Sequence, residues 1–211
     1  MSTILIPSNT LRETKRLFGK LRYRRMTLPV LNHILLTADH QGIRLTVTDL
    51  DHWIETRVSD NHHDHARFLI PPDAMDAACR ADHGSLVSFT AFGGKRSKDI
   101  GMLIHQGGIE ATSVHPTLDP KEFPERPDLK GDASTLPPDT IRNIAIVAGC
   151  ASNDRTRHIL NGVRFTPEDG GQLVATNGKL LAVSPAEVPP HAFVLPNIAA
   201  AVLQHPAFSS D

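Results

Sequence analysis

Four dipeptides of the form Ile-Pro or Leu-Pro recur along this chain at nearly even spacing, and that recurrence limits the folds open to it. They are Ile6-Pro7, Ile70-Pro71, Leu136-Pro137 and Leu195-Pro196, separated by 64, 66 and 59 residues. Each closes a short stretch with strand character and opens a segment with helical spacing: SNTLRETKRLFGKL, PDAMDAACRA, PDTIRNIAIVAG and NIAAAVLQH. Proline suits a helix entry, because the amide hydrogen it lacks would have no partner in the first turn. Ser8, Asp73, Asp139 and Asn197 stand where side-chain caps are expected. Recurrence at such a period is the signature of a duplicated supersecondary unit.

A second match supports the first. Leu31-Asn32-His33-Ile34-Leu35-Leu36-Thr37 parallels Leu160-Asn161-Gly162-Val163-Arg164-Phe165-Thr166. After a polar turn, Leu45-Thr46-Val47-Thr48-Asp49 parallels Leu173-Val174-Ala175-Thr176-Asn177. Alternating apolar residues predict strands with one buried face. Asp39-His40-Gln41-Gly42 and Glu168-Asp169-Gly170-Gly171 read as hairpin turns between them. Each unit is therefore a strand, a helix, and two or three further strands, which makes the chain an α+β protein. The proline-rich run from Asp119 to Pro127 reads as a connector. It divides a first domain of two units, residues 1–130, from a second, residues 131–211, that holds one full unit and then a strand and a helix.

The charge is unevenly placed. Arg12, Lys15, Arg16, Lys20, Arg22, Arg24 and Arg25 crowd one segment with only Glu13 among them, while the rest of the chain holds 15 basic and 22 acidic residues. At 100° per residue Leu11, Leu17, Phe18 and Leu21 share one face of the first helix, and Arg12, Lys15, Arg16 and Lys20 fall opposite. The continuation through Arg22, Arg24 and Arg25 adds a basic loop. Cations without Asn or Gln partners that could read bases suit phosphate contact, which is independent of sequence and sensitive to salt. An acidic protein or an anionic membrane is the other partner such a face could take.

Other chemistry finds little support. Asn61-His62-His63-Asp64-His65 could ligate a metal, but no second cluster stands at zinc spacing, so a solvated loop is expected. Gly93-Gly94-Lys95-Arg96-Ser97-Lys98 lacks the spacing of a phosphate loop and reads as a hairpin tip. Asp49 and Asp51 are expected to be split by a turn. No nucleophile or metalloprotease signature occurs, so neither catalysis nor a cofactor is expected. Cys79 and Cys150 are too few for a disulfide framework and suit a reduced compartment. No apolar run reaches the roughly 18 residues of a membrane helix, and a cytoplasmic protein without membrane contact is expected.

Taken together, these residues resemble the bacterial sliding clamp, the DNA polymerase III beta subunit family. The most specific parts are Thr27-Leu28-Pro29-Val30-Leu31-Asn32-His33-Ile34-Leu35-Leu36 and Leu45-Thr46-Val47-Thr48-Asp49-Leu50. In the second domain they are Arg157-His158-Ile159-Leu160-Asn161-Gly162-Val163 and the run from Val174 to Val183, with the connector from Thr117 to Pro124 between the domains. The resemblance implies a DNA-clamp fold: domains that pair two such units, helices lining a hole, sheets outside, and two chains closed head-to-tail around duplex DNA to tether the polymerase. The family's DNA-contacting arginine before its T-L-P match corresponds to Arg25, and its arginine before L-N-G corresponds to Arg157. Leu160, Thr176, Gly178, Lys179, Leu180 and Leu181 match the pocket that takes clamp-binding peptides.

The match has departures. The family's T-D-G-H-R-L reads Thr176-Asn177-Gly178-Lys179-Leu180-Leu181, which removes an arginine from the pocket rim. Asn197 and Ile198 replace basic residues at the start of the fourth helix. Counterparts of the second half of domain two and of domain three are missing, which implies a truncated clamp or one completed by self-association. A module that binds clamps or clamp ligands without touching DNA is the alternative.

Overall fold

The computed structural model describes residues 3–21, 28–60, 65–94, 97–106, 109–128, 133, 135–154 and 156–203. The chain divides into two compact units, Met1–Pro127 and Asp128–Asp211.

The first unit contains two copies of one motif. The first copy is β1 (Thr3–Pro7), α1 (Ser8–Phe18), β2 (Ile34–Asp39), β3 (Gly42–Thr48) and β4 (Trp53–Ser59). The second is β5 (Ala66–Ile70), α2 (Pro72–Arg80), β6 (Leu86–Gly94), β7 (Ser97–Gln106) and β8 (Ile109–Pro116). The copies exchange their leading strands. β1 pairs with β6 of the second copy, Pro7 opposite Leu86, and the sheet runs β1-β6-β7-β8. β5 pairs with β2 of the first copy, Ile70 opposite Ile34, and that sheet runs β4-β3-β2-β5. Neither copy can complete its four-stranded sheet without the other. Residues 117–123 then fold back on the first sheet: Thr117 Oγ1 donates to Leu69 O at 2.8 Å, and Leu118 and Phe123 pack with Val30, Leu31, Leu35 and Leu69.

The alternation read in the sequence is the burial pattern of residues 163–166 and Gln172–Thr176 and also of β1, whereas residues 34–36 and 45–48 are buried at every position. Ile4 and Ile6 are buried and Leu5 between them is half exposed; Leu11, Leu17, Phe18 and Leu21 of the first helix and the turn after it are all buried. The hairpin at 39–42 forms as expected, and β6 pairs with β7 as far as Gly94 opposite Ser97, the residues between them lying outside the described ones. The caps do not. Pro7, Pro71 and Pro137, each extended, stand at the N-caps with no side-chain bond, and the residues expected to cap face elsewhere. Ser8 Oγ donates to Asp82 O, Asp73 binds His115, Asp139 binds Arg142, and Asn197 Nδ2 donates to Ser152 O. A proline N-cap already sets the entry angle, which leaves these polar side chains to tie the helices to their surroundings.

The second unit repeats half of this plan. It comprises α3 (Pro138–Ala148), β9 (Gly162–Thr166), β10 (Gln172–Thr176), β11 (Leu181–Pro185), β12 (Phe193–Pro196) and α4 (Asn197–Leu203). Its sheet, β11-β10-β9-β12, has the order of β4-β3-β2-β5. Its core is Ile144, Val147, Val163, Phe165, Leu173, Ala175 and Ala200. Among the described residues no strand forms before Pro137, and residues 135–137 enter α3 without ladder bonds. In the first unit the leading strand β1 pairs with β6, the strand after α2, and no strand after α4 occurs among the described residues.

Two glycines mark the same point of the repeat. Gly42 opens β3 at φ 112°, and a Cβ there would lie 1.8 Å from Ser59 O. Gly171, just before β10, has φ 92°, and its Cβ would lie 2.3 Å from Ala186 O. Both tight turns bring the hairpin against the backbone of the next strand. Gly42→Ala and Gly171→Ala should each cost about 3 kcal/mol or more, from backbone strain added to steric conflict. Urea unfolding monitored separately in each unit checks this; an unchanged midpoint would show that the turn relaxes freely.

Candidate nucleic-acid and peptide interfaces

The basic segment begins on α1, and its first half lies within the described residues. Arg12 is half-buried. Its Nε donates to Cys79 O at 2.9 Å and its Nη2 donates to Ala81 O, so the guanidinium is directed at the C-terminal carbonyls of α2. Lys15 Nζ pairs with Asp76 Oδ1 at 2.9 Å, with both side chains near half exposure. Arg16 is exposed and Lys20 half-buried, and neither meets an ion-pair partner among the described residues. Arg22, Arg24 and Arg25 lie outside the described residues.

Arg157 belongs to the second unit. It precedes the short turn His158–Leu160 and pairs with Asp154 through Nε at 3.6 Å. Asp154 is itself held below the ordinary carboxylate value by hydrogen bonds from the hydroxyl and amide of Thr156, with Arg157 adding to them. The Arg157 guanidinium lies against the tip of the β10–β11 turn: Nη1 is 3.6 Å from where a Cβ of Gly178 would stand. Gly178 has φ 89°, so a side chain there is disfavoured on backbone grounds as well.

That turn is tightly ordered. Thr176 Oγ1 donates to Leu180 O at 2.6 Å and accepts from Gly178 N at 3.0 Å. Asn177 Oδ1 accepts from the amides of Lys179 and Leu180, each at 2.9 Å. Satisfying these groups internally frees the turn to present apolar residues. Leu180 and Leu181 are 58% and 67% exposed, Val183 follows two residues on, and Ile159 on the neighbouring turn is 82% exposed. Leu160 beside it is only half-buried, its amide donating to Arg157 O at 2.8 Å. The structure thus joins Arg157, expected at DNA, to Gly178 of the residues expected to bind peptide. Ile159 and Val183 were not singled out in the sequence; their exposure follows from strand and turn orientation, which periodicity alone leaves open.

The other sequence candidates resolve into structural roles. Asp49 Oδ1 accepts from the amides of Asp51 and His52, ordering the β3–β4 turn and separating the two aspartates. Leu50 in that turn takes φ 80°. His62, His63 and Asp64 lie outside the described residues, and no group of three or more metal-ligating side chains occurs among the described ones. Cys79 and Cys150 are free, and burial pushes the Cys79 thiol up. No helix among the described residues is long and apolar enough to cross a membrane.

With this geometry in view, the family follows. Residues 8–127 match the family described as DNA polymerase III beta subunit, N-terminal domain. The chain belongs to that family. It is similar to the beta sliding clamp of Haemophilus influenzae, 28% identical over 198 residues, which is 89% of this chain and 51% of that protein. It is likewise similar to the beta sliding clamp of Halalkalibacterium halodurans, 28% identical over 156 residues, 69% of this chain and 39% of that protein. The crystal structure of the DNA polymerase sliding clamp from Bacillus subtilis superposes with a TM-score of 0.75 at 21% identity, covering 95% of this chain and 55% of that one. The fold is therefore the clamp fold. The chain spans about half the length of these relatives or less.

Sequence reasoning missed one polar link altogether. His115 on β8 bridges Asp73 of α2, Nδ1 to Oδ2 at 2.7 Å, and Ser113, Nε2 to Oγ at 2.9 Å. Partial burial pushes the Asp73 carboxyl up, but the hydrogen bond and charge of His115, with amides of the first turn of α2, outweigh it and hold the carboxyl below the ordinary value. A carboxyl lowered on folding stabilises above its unfolded value and loses that contribution as pH falls through its folded one. Asp73→Asn should therefore lower the melting temperature at pH 7, and the deficit should shrink as pH falls below the ordinary 3.8. Parallel melts of both proteins from pH 7 to pH 2.5 check this; a deficit constant with pH would detach it from the carboxylate.

Proposed function

We propose that this chain is a clamp-type, non-catalytic DNA-tethering factor of replication. It meets duplex phosphates through the basic segment that starts on α1, and it takes clamp-binding peptides, such as those of DNA polymerases, at the β10–β11 turn. The observation that carries the reading is α1 itself: on the clamp-family part of the chain, Arg16 and Lys20 stand without counter-ions among the described residues, immediately before Arg22, Arg24 and Arg25 in the sequence. A helix face with cations and no base-reading amides gives affinity without sequence preference.

The peptide surface is Leu160, Thr176, Gly178, Lys179, Leu180 and Leu181, with Arg157 assigned to its rim rather than to DNA. Exposed leucines beside a guanidinium provide apolar anchoring and a polar edge, which is what an extended peptide with apolar anchors requires. Family membership and the clamp fold support both surfaces. Self-association and a cytoplasmic setting belong to the same reading.

Duplex binding should fall steeply with salt. If Arg16, Lys20, Arg22, Arg24 and Arg25 each neutralise one phosphate, log K against log salt should slope at about −4.5, and each replacement by Ala should reduce the slope by about 0.9. Fluorescence anisotropy with duplexes of unrelated sequence reads this directly. Affinity that does not change between low and high salt would sink the DNA reading.

The peptide surface is tested separately. Leu180→Ala and Leu181→Ala should each weaken binding of a fluorescent peptide from the clamp-binding segment of a bacterial replicative polymerase by about tenfold. Both variants should leave the DNA salt slope as it is. No loss in either variant would remove the assignment of this turn.

A further inference from the structure

The cations of α1 do not share one task. The N-terminal half of α1 bonds to the end of α2 and to the segment that follows it. Arg12 donates to Cys79 O and Ala81 O, Ser8 Oγ donates to Asp82 O at 2.6 Å, and Ser8 N donates to Ser85 O at 2.9 Å. The last carbonyls of a helix lack intrahelical donors, and the helix dipole concentrates negative charge there. A planar guanidinium can serve two such carbonyls at once, which an ammonium on a flexible stem does poorly. The repeat supplies a counterpart: Asp76 stands on α2 where Arg12 stands on α1, and it reaches Lys15 at 2.9 Å. The two helices are thus tied by opposite charges placed at the same repeat position.

We propose that Arg12 is a positioning residue rather than a phosphate contact. It welds α1 to the end of α2, with Lys15 and Asp76 as a second tie, so that its charge is spent within the protein while Arg16 and Lys20 are left to meet phosphates. The inference rests on the phosphate reading of α1 for its consequence, but the weld itself is tested without DNA. The second unit offers a natural contrast. Arg142, at the place of Arg12 in the repeat, is 74% exposed and among the described residues bonds within its own helix to Asp139 at 3.3 Å.

Cys79 is the local reporter, since its own carbonyl accepts from Arg12 and its half-buried thiol lies beside Arg12 and Lys15. Arg12→Lys is the decisive variant, because it keeps the charge and gives up the paired geometry. Alkylation of Cys79 by iodoacetamide, located by peptide mass spectrometry with Cys150 as the internal control, should accelerate about tenfold in Arg12→Lys as the end of α2 opens. The melting temperature of the first unit should fall by about 5 °C. The DNA salt slope should stay at the wild-type value in both Arg12→Lys and Arg12→Ala, whereas Arg16→Ala should reduce it by about 0.9. A wild-type Cys79 rate and melting temperature in Arg12→Lys would overturn the proposal. So would a slope reduced by about 0.9 in Arg12→Ala. If the wild-type chain binds no duplex, the phosphate reading falls, and the Cys79 rate and melting temperature still decide the weld. If Arg12→Ala does not fold, Arg12→Lys alone decides it.

Discussion

Everything in the first unit depends on the reciprocal pairing of β1 with β6 and of β5 with β2. A strand needs a ladder partner for its amides and carbonyls, and each leading strand finds one only in the other copy of the repeat. That exchange brings the entry of α1, at Pro7 and Ser8, directly beside Ser85 and Leu86 at the entry of β6. The helices that follow the leading strands are then forced side by side. The Ser8 and Arg12 bonds to residues 79–85 and the Lys15–Asp76 pair are consequences of that adjacency.

The same constraint accounts for the second unit. β12 pairs with β9 as β5 pairs with β2, so its sheet closes in the familiar order and its core is filled by Ile144, Phe165 and Leu173. The described residues of this unit before α3 have no counterpart of β6 among the described residues and join no sheet. Strand propensity near Leu136 is therefore not sufficient: a β segment is realised by its neighbour, and a helix such as α3 is realised by bonds within itself.

The candidate surfaces follow the division between internal and external satisfaction. At the β10–β11 turn, Thr176 and Asn177 satisfy the turn's own backbone, which leaves Leu180 and Leu181 free to face outward. On α1, Arg12 and Lys15 satisfy groups of α2, and Arg16 faces outward. In both places residues that read alike in sequence have different tasks, because packing consumes some of their polar groups and not others.

The repeat, the helix faces and the hairpin turns were legible in the sequence because they are local. Prolines at fixed intervals, apolar residues at 3.6 or 2 spacing, and Gly42 and Gly171 at turns each act within a few residues of themselves. The caps were misread for a related reason: Ser8, Asp73 and Asn197 have the right chemistry at the right position, but proline had already set the entry and longer-range partners claimed the side chains. Placing Arg157 beside Gly178, joining His115 to Asp73 and directing Arg12 at the carbonyls of Cys79 and Ala81 required the fold. These contacts span from 21 to 69 positions of sequence, and only the strand exchange and sheet order bring such positions together. The sequence by itself determined the unit, its helices and the sign of its charge. The tertiary structure decided which of those charges bond within the protein and which stay without an ion-pair partner among the described residues, because that depends on the carbonyls and carboxylates the packing puts within reach.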